Sequence, residues 1–377
     1  MRVQVIVQRY LSGIRMKVLS TIVTEEDKKN CWTDEFGVVY SSDRKRLLKA
    51  PNEIVKYSIP IGTEIVCDWA FGWCEKLEII DLCESLVAIG SRAFHECMSI
   101  KSVIIPGNVI EIGFGAFGGC DSLHDVVVSM GVKSIEAEAF QACNSLESIL
   151  LPDSLIQIKE YAFGGCTSLK SITIPSSVTQ IERGVFEGCK CMIICNSDYY
   201  TGGFDLYSVR EKRLIYCSTC IAKYVFPESI NVIGESAFFD CTMLKSIDMP
   251  DSVQVIEEGA FCGCESLSYV RLSHSLTHIG NYAFSGCGSI HKLHLPESLT
   301  SIGKDAFEDC TSLKTIYVQE GEKARFEELL PNYKGIIFEM NGSNISFSIN
   351  TLNNDDETDG WDVDGDLSFL GIEEDKS

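Results

Sequence analysis

The sequence predicts a β-rich solenoid of stacked 23-residue turns in two duplicated runs, closed by a C-terminal capping helix and followed by a disordered acidic tail. Three observations carry that prediction. The first is a dipeptide. Ala-Phe falls at 70–71, 93–94, 116–117, 139–140 and 162–163, Val185-Phe186 continues the series, and Ala-Phe resumes at 237–238, 260–261, 283–284 and 306–307, always in steps of 23 within a run. The second is a thiol three residues after each Phe, at 74, 97, 120, 143, 166, 189, 241, 264, 287 and 310, so ten of the eighteen cysteines are repeat positions. The third is a longer duplication. Residues 37–71 align without a gap onto 204–238 at an offset of 167, with eleven identities in 35 positions, among them Tyr40/Tyr207, Leu47/Leu214, Tyr57/Tyr224 and Phe71/Phe238.

These landmarks divide the chain in order. Residues 1–35 form an N-terminal segment; 36–190 hold a lead-in β-hairpin and the first run of six repeats; 191–226 are a second lead-in segment; 227–318 hold the second run of four; 319–340 are the cap; 341–377 are the acidic tail. Within a repeat, Leu169-x-x-Ile172-x-Ile174-Pro175 reads as a strand with Ile172 and Ile174 on one face, because side chains alternate with period two. Pro175 ends it by withholding an N–H from the ladder. Val178 and Ile181 turn inward on the return side, and Phe163 plugs the next layer. No single turn buries enough apolar surface to order itself, so neighbours must share faces and ladders. At about 4.8 Å per strand, ten turns and the lead-in segments make a rod or arc roughly 50–60 Å long. After Val318, the stretch Lys323 to Leu330 reads as a short helix stopped before Pro331, with Phe326, Leu329 and Leu330 to cover the last open layer.

The motif Ile-x-x-Ala-Phe-x-x-Cys-x-Ser-Leu-x-x-Ile-x-Ile-Pro-x-Ser-Val, nearly whole from Ile158 to Val178, resembles the BspA-like leucine-rich-repeat family over about residues 36–340. The resemblance implies a leucine-rich-repeat solenoid. It also implies the roles met in that family, where surface proteins of anaerobic bacteria and some protozoa are linked to adhesion to host matrix or to other cells.

Composition bounds the function. The chain has 377 residues, 45% hydrophobic and 23% charged, with a net charge of -22. That charge speaks against a nucleic-acid surface, which needs clustered Lys and Arg. Residues 352–377 alone hold ten Asp or Glu against one Lys. No apolar run reaches the about 18 residues of a membrane-spanning helix. Arg2, Arg9 and Arg15 interrupt the apolar stretch that an export signal needs, so a cytoplasmic chain is the plainer expectation, with the cell surface as the family alternative.

Chemistry-bearing constellations are few. The repeat thiols, about 5 Å apart from rung to rung, are close enough to bridge, yet all share one inward position, and free Cys is among the most buried residue types. They read as a buried ladder. Cys191, Cys195, Cys217 and Cys220 have the pairwise spacing of a structural zinc site. Against it, Cys195 coincides with the first strand Ile of its repeat, and the aligned hairpin carries Ala50 and Glu53 where this one has Cys217 and Cys220. His291-x-x-His294 is a weak metal pair. Asp355-x-Glu357-x-Asp359-Gly360 echoes a calcium loop but has Asp366 where a bidentate Glu is usual, and reads as solvated tail. No catalytic motif, cofactor fingerprint or metal site is therefore assigned, and the chain reads as a non-enzyme without a cofactor.

The functional expectation rests on the strand face. The residue between the last two apolar strand positions points outward, giving Asp81, Ile104, Val127, Leu150 and Thr173, then Asp248, Arg271, His294 and Tyr317. Ile104, Val127 and Leu150 make an exposed apolar row, and Tyr269 and Lys292 add to an aromatic and basic patch in an acidic protein. Aromatic residues and Arg dominate binding hot spots, although β-propensity alone also places apolar residues on exposed strands. The expected partner is a protein bound through these eight residues: Ile104, Val127, Leu150, Tyr269, Arg271, Lys292, His294 and Tyr317.

Overall fold

A computed structural model describes residues 19–218 and 221–340, so the expectations for the acidic tail and for residues 1–18 lie outside the described residues. Every full turn has three parts: a strand, a short return strand, and a corner built on Ala-Phe. The strand Ser171–Ile174 alternates exposed, buried, exposed, buried, as its period-two pattern requires. Strands Ser102–Ile105, Asp125–Val128 and Ser148–Leu150 pair in parallel, which sets Ile104 beside Val127 and Val127 beside Leu150. The return segments are two-residue strands such as Gln157–Ile158 and Gln180–Ile181. They join the lead-in hairpins to make a nine-stranded sheet in the first run and a seven-stranded one in the second.

The corner explains the Ala-Phe signature. The Phe94 amide donates to the Ala116 carbonyl of the next turn at 2.7 Å, and Phe117 to Ala139 at 2.8 Å, so the corners carry their own backbone ladder. Left-handed residues bracket the dipeptide, as at Gly115 (φ 56°) and Gly119 (φ 72°), where glycine adopts that conformation without a Cβ penalty. Inside, Phe71, Phe94, Phe117, Phe140, Phe163 and Phe186 stack face to face with centroids 4.9–5.7 Å apart. Phe238, Phe261, Phe284 and Phe307 repeat the stack in the second run. Rungs are also joined across the surface by ion pairs one period apart, including Lys159–Glu136, Lys170–Glu147 and Arg183–Glu160.

Tyrosines end both stacks. Tyr57 and Tyr224, equivalent under the duplication, lie against Phe71 and Phe238 at the start of each run. Tyr216 closes the first stack on Phe186, and Tyr333 closes the second on Phe307. The duplication holds to fine detail, since both hairpins carry a register shift at the same place, between Val39 and Tyr40 and between Leu206 and Tyr207. The second hairpin serves two cores: Ile215 and Tyr216 pack into the first, Leu214 and Cys217 into the second.

The capping helix spans Lys323–Leu329, with Phe326 and the following Leu330 buried against the last turn. A 3-10 turn, Pro331–Ile336, then leads to a strand, Ile337–Met340, that pairs with Thr315–Gln319. One sequence expectation is corrected here. Cys195 does not take the first strand Ile position; Ile193 pairs with Ile172, and Cys195 with Ile174. The connection after Cys189 is two residues shorter than in a full turn, so the strand slides by two and keeps its inward parity. The closing strand of the second run is short by the same amount, with Ile337 opposite Ile316.

Candidate functional site

Strand alternation buries Val270, Leu293 and Ile316, and turns Tyr269, Arg271, Lys292, His294 and Tyr317 to the other side. The register sets Asp248 beside Arg271, His294 beside Tyr317, and Tyr317 beside Phe338. The His294 and Tyr317 rings meet at 4.9 Å. Together with Tyr269, Arg271, Pro296 and Met340 they line a groove of about 350 Å³. Its walls are mostly aromatic and aliphatic, with a few polar tips, which is the usual make-up of a recognition site.

The groove's charges are partly organised among themselves. Arg271 pairs with Asp248 and lies 3.8 Å from Asp251. His274 Nδ1 is 2.9 Å from Asp251 Oδ1, and its backbone N–H donates to the same oxygen. Those contacts hold the Asp251 carboxyl below its ordinary range. Desolvation against the groove wall, followed by the nearby Lys292 ammonium, lowers the His294 imidazole below its ordinary range and favours the neutral ring.

Of the eight expected binding residues, the structure brings Tyr269, Arg271, His294 and Tyr317 to this groove. Lys292 is exposed on the neighbouring row, opposite Thr315. Ile104, Val127 and Leu150 form a separate row on the first run. Ile104 and Leu150 are exposed, while Val127 is half-buried between them. That row runs on through Thr173 to Ile194, which is exposed and which the slipped register hid from the sequence. Phe338 and Met340 were also missed, because their strand follows the cap and carries no repeat signature.

The thiols fall into place chemically. Each repeat Cys is buried. Cys97, Cys120, Cys143, Cys166 and Cys189 donate S–H to the carbonyl of a Phe in the preceding turn at 3.1–3.2 Å, and Cys264, Cys287 and Cys310 do the same at 3.1 Å. The position therefore asks for a small apolar side chain with one donor, which explains Cys better than Ala. Burial pushes the Cys120, Cys166 and Cys310 thiols up to about 12. Native alkylation at pH 8 should accordingly label the exposed Cys31 while sparing the buried Cys120, Cys143, Cys166 and Cys310, which become reactive only on unfolding. Peptide mapping after a short iodoacetamide pulse reads this directly; early labelling of Cys143 would refute it.

Cys191 and Cys217 are buried and Cys195 is half-buried, whereas Cys220 lies outside the described residues. The Tyr216 hydroxyl donates to the Cys189 carbonyl at 3.0 Å and lies 3.3 Å from that of Cys191. His291 Nδ1 is engaged with the Ser289 carbonyl at 2.7 Å. Among the described residues, no group of three or more His, Cys, Asp or Glu is placed to hold a metal ion. Among the same residues, no helix is long and apolar enough to cross a membrane.

The sequence profile of the BspA type leucine rich repeat region matches residues 49–149, 133–201 and 211–328. A crystal structure of a leucine rich cell surface protein from Faecalibacterium prausnitzii A2-165 is similar at 27% identity and a TM-score of 0.65, over 84% of this chain and 96% of that one. The pneumococcal vaccine antigen PcpA shares the fold at 20% identity and a TM-score of 0.52, over 76% of this chain and 65% of its own. A leucine-rich repeat protein from Eubacterium ventriosum ATCC 27560 does so at 21% identity and a TM-score of 0.50, covering 68% and 90%. No curated protein matches the chain.

Proposed function

Because the chain belongs to the BspA-type leucine-rich-repeat family, we propose that it is a non-enzymatic protein-binding solenoid whose contact centre is the strand-face groove of the second run. One observation carries the reading: Tyr269, Arg271, His294 and Tyr317 line one groove on the strand face of the second run. Tyr and Arg are the residue types that most often dominate binding energy, and they do so best in a partly enclosed pocket. The outward row Ile104, Val127, Leu150, Thr173 and Ile194 supplies a second contact area on the strand face of the first run.

Alanine at Tyr317 or Arg271 should weaken partner capture by tenfold or more, on the order of 1.4 kcal/mol or above, without changing the far-ultraviolet CD spectrum. Asp in place of Leu150 tests the first-run row in the same assay. Full capture by both groove variants would exclude the groove as the contact centre. Full capture by Leu150→Asp would remove the row.

A second reading, a surface adhesin that binds host matrix or other cells, draws support from the similar F. prausnitzii protein, which is described as a cell surface protein. Protease treatment of intact source cells separates the two. Loss of a tagged chain before lysis favours adhesion, and protection until lysis favours an intracellular partner.

A further inference from the structure

Two residues of every corner adopt left-handed backbone, one directly before the Ala-Phe or Val-Phe dipeptide and one directly before the repeat Cys. That conformation penalises any Cβ and suits glycine best. Before the Cys, five of the ten corners carry Gly and four carry Ala, Asp or Glu. Trp73 is the exception, at φ 63°, and Trp69 holds the other left-handed position of the same corner at φ 59°. For a bulky residue such a φ is an outlier, and the other nine corners form without one before the Cys. Burial does not compensate it, since Trp73 is 50% exposed.

The two indoles are stacked, with centroids 4.5 Å apart and planes within 12° of parallel. His95 of the next turn meets both edge-on, at 5.5 and 6.3 Å, and Arg92 lies over the Trp69 ring at 5.2 Å. One face of Trp73 is thus held against Trp69, and its exposed surface lies on the other side. A Cβ at Gly119 would come within 2.7 Å of a Glu96 carboxylate oxygen, and one at Gly118 within 3.1 Å of His95 Nδ1. Those glycines give Glu96 and His95 room to lie down over the following turn instead of covering Trp73. The charges nearby are paired: Arg92 is 3.8 Å from Glu138, and His95 Nε2 is 3.8 Å from Glu96. The exposed Lys49 ammonium donates to the Trp69 and Gly72 carbonyls at 3.0 and 3.4 Å. The corner therefore presents a flat aromatic platform, fixed from beneath and rimmed by polar groups.

We propose that this platform is a glycan-binding site, which takes the apolar face of a neutral pyranose ring on the free face of Trp73. The size of the apolar surface speaks first. It is one indole wide and bordered by charged side chains, far short of the continuous apolar core that a protein interface needs. The pairing of Arg92 with Glu138 and of His95 with Glu96 speaks second, because it favours neither an anion nor a cation as ligand. A pyranose answers both features. Its C–H bonds pack flat on an aromatic face, while hydroxyls at its edge accept from the remaining Lys49 N–H and donate to the Glu96 carboxylate. Backbone strain held at an exposed aromatic residue is then explained by what the residue binds. The site uses no residue of the groove on the second run, so the two readings stand or fall separately.

Calorimetric titration of the full chain with glucose, N-acetylglucosamine, cellohexaose and chitohexaose tests it, with dextran sulfate as the anionic comparison. At least one neutral sugar should bind. Trp73→Gly should weaken that binding about tenfold or more, and Trp73→Phe, which keeps a flat ring, should weaken it less. Glycine relieves the left-handed backbone, so Trp73→Gly should leave the urea midpoint unchanged or raise it. A lowered midpoint would make Trp73 a structural residue and overturn the proposal. Tyr317→Ala should bind the sugars as the natural chain does; an equal loss there would move the sugar to the other groove and overturn it too. Iodide should quench Trp73 in the free protein, read as the difference from Trp73→Phe, and quench it less when sugar is bound. No binding of any neutral probe, binding that survives Trp73→Gly, or tighter binding of dextran sulfate would each overturn the proposal. So would a Trp73 already shielded from iodide, since the platform would then be covered by the protein itself.

Discussion

Phe140→Ala should cost about 3–5 kcal/mol, near the top of the range for a core truncation, and lower the urea midpoint accordingly. Phe140 is fully buried between Phe117 and Phe163, at 5.5 and 5.7 Å with ring planes within 6° of parallel. Deleting the ring therefore strips a contact from both neighbouring turns at once, and nothing else in the layer can slide in, because the corners are fixed by their own amide ladder. Phe307 offers the contrast. It stacks on one side only and meets Tyr333 edge-on at 6.2 Å, so Phe307→Ala should cost less. Equal effects at the two positions would show that the stack does not couple the turns.

Tyr216→Ala should have a still broader consequence: the single unfolding transition should split into two. The strand Arg213–Cys217 contributes to both cores, and Tyr216, with Ile215, is its contribution to the first. Truncation removes the ring that closes Phe186 at 5.6 Å and leaves the Cys189 carbonyl without its hydroxyl donor. The first loss is worth about 3–5 kcal/mol and the second about 1–3. In a molecule whose stability is summed from neighbour interfaces, weakening one interface to that degree lets the two sides unfold separately. Calorimetry should show it as a van't Hoff enthalpy falling below the calorimetric one. Tyr216→Phe keeps the ring and should retain a single transition; if it also splits, the hydroxyl rather than the stack is the coupling element.

Much of the architecture was legible because repetition multiplies weak local patterns. One Ala-Phe means little, whereas nine of them and one Val-Phe, in phase with ten thiols, locate every corner. The cap was readable from Phe326, Leu330 and Pro331, since a helix that must cover an open layer needs apolar residues and a stop. The return sheet was less visible, because two-residue strands such as Gln180–Ile181 are too short to show a period. The slipped strand at Met192–Cys195 was misread because period counting assumes a constant connection length, and that connection is where the run ends.

The site was legible in half. Arg271, His294 and Tyr317 followed from strand alternation alone. Their enclosure did not, because it depends on Met340 arriving from beyond the capping helix, a contact without sequence spacing to announce it. The sequence also offered Ile104, Val127 and Leu150 with equal weight, and only the register shows them to be a flat row apart from the groove.

The corner ladder has a mechanical consequence. Its bonds, such as Phe94 to Ala116 and Phe117 to Ala139, run from turn to turn along the long axis of the molecule. A force applied to the two ends therefore loads them one layer at a time rather than in shear. The chain should lengthen in a series of small, similar steps, each releasing about 75 Å of contour as one turn peels away. The seam at Tyr216 would divide that series in two. Attached between two bodies that drift apart, such a molecule works as an extensible tether, yielding gradually where a single compact domain would hold and then snap.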